Sequence, residues 1–565
     1  MTDNLTPPPG LTSAAAALLE RGRRLRSPVA IPASPADERW HPEFPSWVTS
    51  FRPHQIDAVN QIVEAFKSTK IVILQAPTGT GKTLIGEMVR RWLPNVAGTS
   101  VSGIYACTTK HLQDQFLRDF PDAAVLKGRA NYPTQSKMRD VTAADCTKTG
   151  REDNCRWCAE SASCPYRVAR RVALGSPIAV LNTTYALTAW NGPETFTNRG
   201  LVTLDEADML EGELLSHVSV TISPRWMKEL GLELPKRTVE GAWEPWLRDD
   251  VIPALERALW DLPEVDEGTT RELRARQSLQ RLKASIVRVA NELAEDPTQW
   301  VLTDYDRGAA TFKPIMVGRF ANDLLWRHGQ RFLLMSGSVL SADEMAESLG
   351  IPRGGFALVD VPMTFPVENR RIRYVPVASL TAKTKDEAVP KILKATKKII
   401  LDHPGERVLI HTVSYHLAKD MVKGLGKLGR PVYSYLAAKD KDMALEGYLA
   451  TEGSVLVAAS MDRGVDLPDD DCRVQIIAKI PYPYLGDKQV NARMRRTRNG
   501  QSWYSLQALR AMVQMTGRGV RADDDWCETY VVDTQFQELL SRYRAVMPRW
   551  WMDAVDWEVD VRPYL

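Results

Sequence analysis

The segment Ile71-Val-Ile-Leu74, followed by Ala76-Pro-Thr-Gly-Thr-Gly-Lys-Thr83 and then by a helix-forming run, constrains the fold more than any other part of the sequence. A short β-branched run without alternation suits a strand covered on both faces. Leu84, Ile85, Met88, Val89, Trp92 and Leu93 recur at helical spacing and mark one apolar face. A strand that feeds a helix in this way belongs to a parallel sheet, because parallel neighbours need a crossover connection. Further apolar runs at 103–107, 178–181, 201–204 and 332–335 read as strands of the same sheet. A second alternating series starts near Arg371, with strands expected at 408–411, 455–458, 474–478 and 528–532. The fold class is therefore α/β with two parallel-sheet domains.

The loop at 76–83 fits a phosphate cradle. Backbone N–H groups at Gly79, Thr80, Gly81 and Lys82, beside the positive end of a helix, favour anionic oxygens. Lys82 is placed to reach the β- and γ-phosphates, and Thr83 to ligate Mg²⁺. The strict pattern opens on Gly where this chain has Ala76. Asp205-Glu-Ala-Asp208 follows the apolar run 201–204. At a strand end Asp205 suits an outer-shell Mg²⁺ contact, and Glu206 suits activation of a water. ATP with Mg²⁺ is the ligand these residues imply. At the end of the second series, Gln514-Met-Thr-Gly-Arg518-Gly-Val-Arg521 spaces two arginines so that a continuing helical turn would put both on one face. Arginines brought from another domain stabilise charge on a transferring phosphoryl group.

Two segments interrupt the alternation. Residues 126–175 hold Cys146, Cys155, Cys158 and Cys164, four of the seven cysteines in the chain. That clustering reads as metal ligation in a reducing compartment, not as a secreted disulfide framework. The spacing alone fits a [4Fe–4S] cluster or Zn²⁺. From Lys127 to Arg171 ten Lys or Arg face five Asp or Glu. Arg129, Lys137, Arg156, Arg167, Arg170 and Arg171, interleaved with Tyr132, Trp157 and Tyr166, suit a single strand of nucleic acid held by cations and stacking rings. Residues 211–326 read as helical, with Leu279, Leu282, Ile286, Val289 and Leu293 forming a packing seam. Trp226, Trp243, Trp246, Trp260, Trp300 and Trp326 of this segment are expected in its core, as are the remaining thiols Cys107, Cys472 and Cys527 in theirs.

The net charge of +3 is too small to imply nucleic acid by itself, so binding must come from local patches. No apolar stretch approaches the roughly 18 residues of a membrane span, and the first residues lack a secretory pattern. The chain reads as a soluble, cytoplasmic monomer with a Pro- and Ala-rich tail at 1–45, which includes a helical candidate at 14–26.

Taken together these motifs resemble the superfamily 2 nucleic-acid helicases, and within them the DinG/XPD-type iron–sulfur DNA helicases. Phe51-Arg-Pro-His-Gln55 resembles the adenine-side entry motif, and Tyr105 to Lys110, with Gln115, resembles a strand-loop-helix that contacts DNA backbone, here through Thr109 and Lys110. Lys127 to Tyr132 opens the cluster region and Cys164-Pro-Tyr166 closes it. Met335-Ser-Gly-Ser338, Ser460 to Pro468, Pro481-Tyr-Pro483 with Asp487, and Gln514 to Arg521 are similar to the later motifs. Departures are Pro133-Thr134 where the family often has its first cysteine, Arg463 for a common Glu, and Asp208 for the usual His.

The resemblance implies two RecA-like domains, the first at 46–125, 176–210 and 327–368 and the second at 369–565. It implies an iron–sulfur insert at 126–175 that acts as a wedge and an arch-like insert at 211–326. It also implies a [4Fe–4S] cluster on the four cysteines and 5′ to 3′ translocation on single-stranded DNA. Expected partners are forked or tailed duplexes, with RNA–DNA hybrids also accommodated. A zinc-containing RNA-remodelling ATPase and a redox-responsive nucleic-acid-binding ATPase subunit without unwinding are the rival readings.

Overall fold

The computed structural model describes residue 48 and residues 51–97, 102–133, 142–145, 163–192, 195–235, 240–263, 270–381, 383–435, 437–459, 467–520 and 522–565. Cys146, Cys155, Cys158, Lys137, Arg156, Trp157, Arg463 and Arg521, and the helical candidate at 14–26, lie outside these residues.

Among the described residues, seventeen strands build three sheets. In chain order they are β1 Ile71–Gln75, β2 Gly103–Cys107, β3 Ala124–Leu126, β4 Ile178–Asn182, β5 Arg199–Asp205, β6 Val220–Ile222, β7 Trp300–Thr303, β8 Ala310–Pro314 and β9 Gly329–Ser336. They continue as β10 Phe356–Asp360, β11 Ile372–Ala378, β12 Val408–His411, β13 Val432–Ser434, β14 Val455–Ala458, β15 Val474–Ile477, β16 Glu528–Asp533 and β17 Val555–Asp556. The first sheet has the order β10-β1-β9-β5-β2-β4-β3 and the second β13-β14-β12-β15-β16-β11-β17. Every paired neighbour in both is parallel.

Burial on both faces explains the sequence of the central strands. All five residues of β1 and of β2 are buried, and so are all four of β12, β14 and β15. Helices cover each face, and separate apolar clusters fill the space on either side: Ile73, Ile104 and Leu204 on one face of the first sheet, Val72, Leu74 and Tyr105 on the other. The helix Lys82–Ala97 contributes Ile85, Met88 and Val89 to the second of these clusters, as its spacing requires. Cys107, Cys472 and Cys527 are buried thiols.

The interval between β5 and β9 is not purely helical. It holds the antiparallel sheet β6-β8-β7 beside the 26-residue helix Thr270–Glu295. Helical periodicity is visible over one long element, whereas strands of three to five residues leave no comparable signal. Leu279, Ile286, Val289 and Leu293 pack with Trp243, Trp246, Trp300 and Phe312 in a core of their own. Trp326 is buried against Phe332 at the root of the interval. Trp260 departs from the expectation: at the end of its helix it is 90% exposed.

Among the described residues no helix is long and apolar enough to cross a membrane. Phe312 is fully buried with Trp243 and Trp246 around its ring. Phe312→Ala is expected to destabilise this unit by about 3–5 kcal/mol, read as a lower urea midpoint in far-UV circular dichroism.

Candidate functional site

Three adjacent strands of the first sheet end at one place. β9 lies between β1 and β5, with Gln75 opposite Ser336 and Asp205 opposite Met335. Their carboxyl ends therefore deliver the 76–83 loop, Ser336-Gly-Ser338 and Asp205-Glu206 side by side, where ligands bind in open parallel sheets. The Ala76 N–H donates to the Ser336 carbonyl at 2.9 Å, which ties the first two loops together.

Gly79 and Gly81 take φ of 85° and 81°, a region that side-chain-bearing residues rarely enter. Lys82 Nζ folds back to donate to the carbonyls of Ala76 at 3.1 Å and Pro77 at 3.3 Å. These carbonyls bind the ammonium where phosphate oxygens would compete for it. The loop is held from outside by Arg52 and the first turn of the helix Pro53–Ala65. Arg52 Nη1 donates to the Gly79 carbonyl at 3.3 Å, and Gln55 Nε2 to the Thr80 carbonyl at 3.1 Å. His54 Nε2 lies 3.2 Å from the same oxygen. Gln55 thus braces the loop directly.

Asp205 and Glu206 are fixed by β2 and the turn after it. The buried Tyr105 hydroxyl donates to Asp205 Oδ2 at 2.5 Å and lies within hydrogen-bond reach of Thr83. Burial, and then the Asp205 charge, push the Tyr105 phenol well above its ordinary pKa, so it stays a neutral donor. Glu206 sits in the left-handed region at φ 52°, a strained position for a residue with a side chain. Its carboxylate accepts from the Thr108 hydroxyl. Thr83 and Asp205 are the side chains here with the hard oxygen chemistry that suits Mg²⁺, and the shared Tyr105 hydroxyl holds them to one spot. Tyr105 and Thr108 belong to the segment expected to contact DNA backbone, and their contacts with Asp205 and Glu206 are what sequence reading passes over. A tyrosine in an apolar strand looks like core, and only the register of β2 beside β5 reveals its partner.

The second sheet closes the site from across the cleft. The helix Gly500–Thr516 ends against the phosphate loop, so that a Cβ on Gly517 would lie 3.4 Å from Thr78 Oγ1. Gln514 Nε2 donates to Ser338 Oγ at 2.8 Å. Ser338 Oγ lies 3.4 Å from Ser336 Oγ, which donates to Asp208 Oδ1 at 2.7 Å. A hydrogen-bonded chain therefore runs from the Asp205-to-Asp208 box to the second sheet. Arg518 is buried here, 5% exposed. Arg521 lies outside the described residues, and the helix that leads towards Arg518 stops at Thr516. Beyond it a Cβ on Gly519 would fall 2.5 Å from Cys527 Sγ, so the chain runs flat against the sheet.

The cysteine region is partly described. Cys164 is 2% exposed and stands at the N-cap of the helix Pro165–Gly175. Among the described residues no group of three His, Cys, Asp or Glu gathers to hold a metal. The two rings expected at the DNA lie against each other. Tyr166 is 8% exposed, with its hydroxyl 2.8 Å from that of Tyr185 and the Arg129 guanidinium 5.1 Å from its ring centroid. Tyr132 packs edge-on against Tyr166 and accepts the Lys127 N–H at 3.1 Å. Tyr166 is thus buried and Tyr132 half-buried against it. Lys110 is exposed and donates to Asn131 Oδ1 at 2.6 Å, while Thr109 caps the helix Lys110–Asp119.

The comparisons agree with this geometry. The helicase C-terminal domain family matches residues 397–554, and the type III restriction enzyme res subunit family matches residues 49–157. An XPD helicase structure superposes with a TM-score of 0.60 over 88% of this chain and 98% of its own, at 16% identity. The chain has the fold of two parallel-sheet α/β lobes seen in that structure. The Xpd4 structure of S. tokodaii superposes with a TM-score of 0.55 over 89% of this chain and 99% of its own, at 15% identity. A Fanconi anemia group J protein homolog of Gallus gallus is 32% identical over 111 residues, 18% of this chain and 9% of that protein. A regulator of telomere elongation helicase 1 homolog of Culex quinquefasciatus is 24% identical over 271 residues, 40% of this chain and 26% of that protein. The chain thus matches about a tenth of the first of these curated relatives and about a quarter of the second.

The space above Gly81 is already filled, with an added Cβ falling 2.4 Å from Gln55 Nε2 on a left-handed backbone. Gly81→Ala is expected to dislodge Gln55 from Thr80 and weaken nucleotide binding about tenfold, measured by titration with a fluorescent ATP analogue.

Proposed function

We propose that this protein is an ATP-dependent DNA helicase that moves along single-stranded DNA in the 5′ to 3′ direction. The observation that carries this reading is the hydrogen bond from Gln514 to Ser338, beside the phosphate loop. It joins a helix of one parallel-sheet lobe to the ATP-site loops of the other, the arrangement a nucleotide-driven clamp needs. Lys82 and the N–H groups of Gly79, Thr80 and Gly81 bind the phosphates, and Gln55 braces them. Thr83 and Asp205 hold Mg²⁺, which would neutralise phosphate charge. Glu206 orients and polarises the attacking water, while Gln514, Arg518 and Arg521 meet the charge that develops on the γ-phosphate. Closing and reopening of the lobes advances the strand.

Thr109, Lys110, Arg129, Arg156 and Trp157 face the DNA in this reading, with Tyr132 and Tyr166 as their packed support. Cys146, Cys155, Cys158 and Cys164 hold a [4Fe–4S] cluster that staples a small insert with too little core to fold by itself. The buried thiol of Cys164 at a helix N-terminus supports that role. The stapled insert is the wedge at which a forked or tailed duplex parts.

Oligonucleotide-stimulated ATP hydrolysis tests the central claim. Single-stranded DNA is expected to raise turnover more than RNA of the same sequence, and Lys82→Ala to abolish it. Stimulation by RNA alone would favour an RNA-remodelling ATPase. Forks with a 5′ tail should unwind and those with a 3′ tail should not. For the cluster, protein purified without oxygen should be coloured. Cys158→Ser should lose the visible absorption and strand separation while keeping residual ATPase. A colourless wild type that contains zinc refutes the iron–sulfur assignment.

A further inference from the structure

Immediately after the Asp205-to-Asp208 box, an ion pair between the buried Arg493 and the largely enclosed Glu211 crosses from one lobe to the other. The turn Ala207–Met209 leads without a break into the helix Leu210–Val218, and the Met209 N–H donates to the Glu206 carbonyl at 2.9 Å. Glu211 therefore sits on a rigid extension of Glu206. Its Oε1 lies 2.6 Å from Arg493 Nη1, and its Oε2 accepts from Trp503 Nε1 at 3.0 Å. Both partners belong to the second lobe. The Arg493 guanidinium lies 4.5 Å from the Trp503 ring centroid, which fixes its plane.

The network continues behind the ATP site. Arg493 Nη2 donates to Ser348 Oγ at 2.8 Å, and Ser348 Oγ to Glu344 Oε1 at 2.8 Å. Glu344 pairs with Arg510, which also donates to the Val339 carbonyl at 3.2 Å. Arg510 stands one turn before Gln514 on the helix Gly500–Thr516. Buried polar side chains thus connect the box that carries Glu206 to the helix that carries Gln514, and cross between the lobes three times. Arg493, Arg510 and Ser348 are each 3% exposed and Glu344 is 8% exposed.

Stability alone does not account for this arrangement. Taking such charges out of water costs as much as their attraction returns, and an apolar interface of equal volume serves as well or better. An ion pair has one property that an apolar contact lacks, which is that water resolvates both partners when they separate. It suits an interface that is made and broken repeatedly. Burial pushes the Glu211 carboxyl above the usual carboxylate range, opposed by the Arg493 charge and the Trp503 N–H. Its ionised form depends on those second-lobe partners being in place.

We infer that Glu211 is a positioning residue, which aligns Glu206 for hydrolysis only when Arg493 and Trp503 of the closed second lobe hold it. The inference rests on the proposed role of Glu206. Glu211 and Arg493 touch no nucleotide. They transmit the position of the second lobe to the carboxylate that activates water.

The test compares wild type, Glu211→Gln, Arg493→Gln and the double variant in the full chain. Steady-state ATP hydrolysis is measured with and without single-stranded DNA, per nucleotide-binding-competent molecule as counted by titration with a fluorescent ATP analogue. Glu211→Gln keeps the shape and an acceptor for Trp503. It is expected to lower kcat about tenfold or more while KM for ATP moves less than about twofold. Arg493→Gln leaves Glu211 buried without its cation and should lower kcat further. The double variant, with no charge left unpaired, should recover turnover relative to Arg493→Gln alone. Wild-type kcat in Glu211→Gln overturns the inference. So does a rise in KM that matches the fall in kcat, or strict additivity of the two changes. A wild type that hydrolyses ATP without responding to oligonucleotides refutes the DNA motor and leaves this comparison intact.

Discussion

The placement of β9 between β1 and β5 is the constraint on which the site depends. Parallel pairing sets the three strand ends level, and the hydrogen bond from Ala76 N–H to the Ser336 carbonyl locks the phosphate loop to its neighbour at 2.9 Å. Segments more than a hundred residues apart in sequence then share one edge. From that edge a chain of side-chain hydrogen bonds leads through Asp208, Ser336 and Ser338 to Gln514 in the other lobe. If β9 slipped by one residue, its side chains would exchange faces, and Ser336 would turn away from Asp208.

Close approach at the cleft is possible because glycine stands at the points of contact. An added Cβ on Gly337 would lie 3.3 Å from the Ala76 carbonyl and 3.9 Å from Lys82 Nζ. Gly517 meets Thr78 in the same way from the opposite lobe. Backbone, not side chain, therefore forms the walls next to the phosphate loop. Positions of side-chain-bearing groups are then set from behind, by Tyr105 on Asp205 and by Thr108 on Glu206. Such support from outside the reacting atoms holds a site to the small tolerances that its chemistry requires.

Much of this was legible in the sequence because buried parallel strands advertise themselves. The runs at 71–74, 178–181, 408–411 and 455–458 each lie within a strand of the structure. The glycine-rich loop and the Asp-Glu pair could be read because their chemistry needs fixed residue types at fixed spacing. Short strands such as β3, β6 and β13, three residues each, carry too little pattern to be seen. Tyr166 and Trp260 show the limit of composition. The same residue types serve a core or a surface, and only packing puts Tyr166 inside and Trp260 outside. Glu211 and Trp503, 292 positions apart, left no signal at all, since an ion-pair network between lobes has no sequence period.

The interval between β5 and β9 belongs covalently to the first lobe, yet it is fastened to the second. Lys313 pairs with Asp487 at 3.0 Å, Gln489 Nε2 donates to the Ile315 carbonyl at 2.9 Å, and Lys488 Nζ sits 3.4 Å from the Tyr305 ring centroid. Val301, Ile315 and Ala492 close the seam with an apolar contact. A body rooted on one side of a cleft and bolted to the other behaves as a strut. Any sliding of the lobes in the plane of the cleft has to break these contacts beside Asp487.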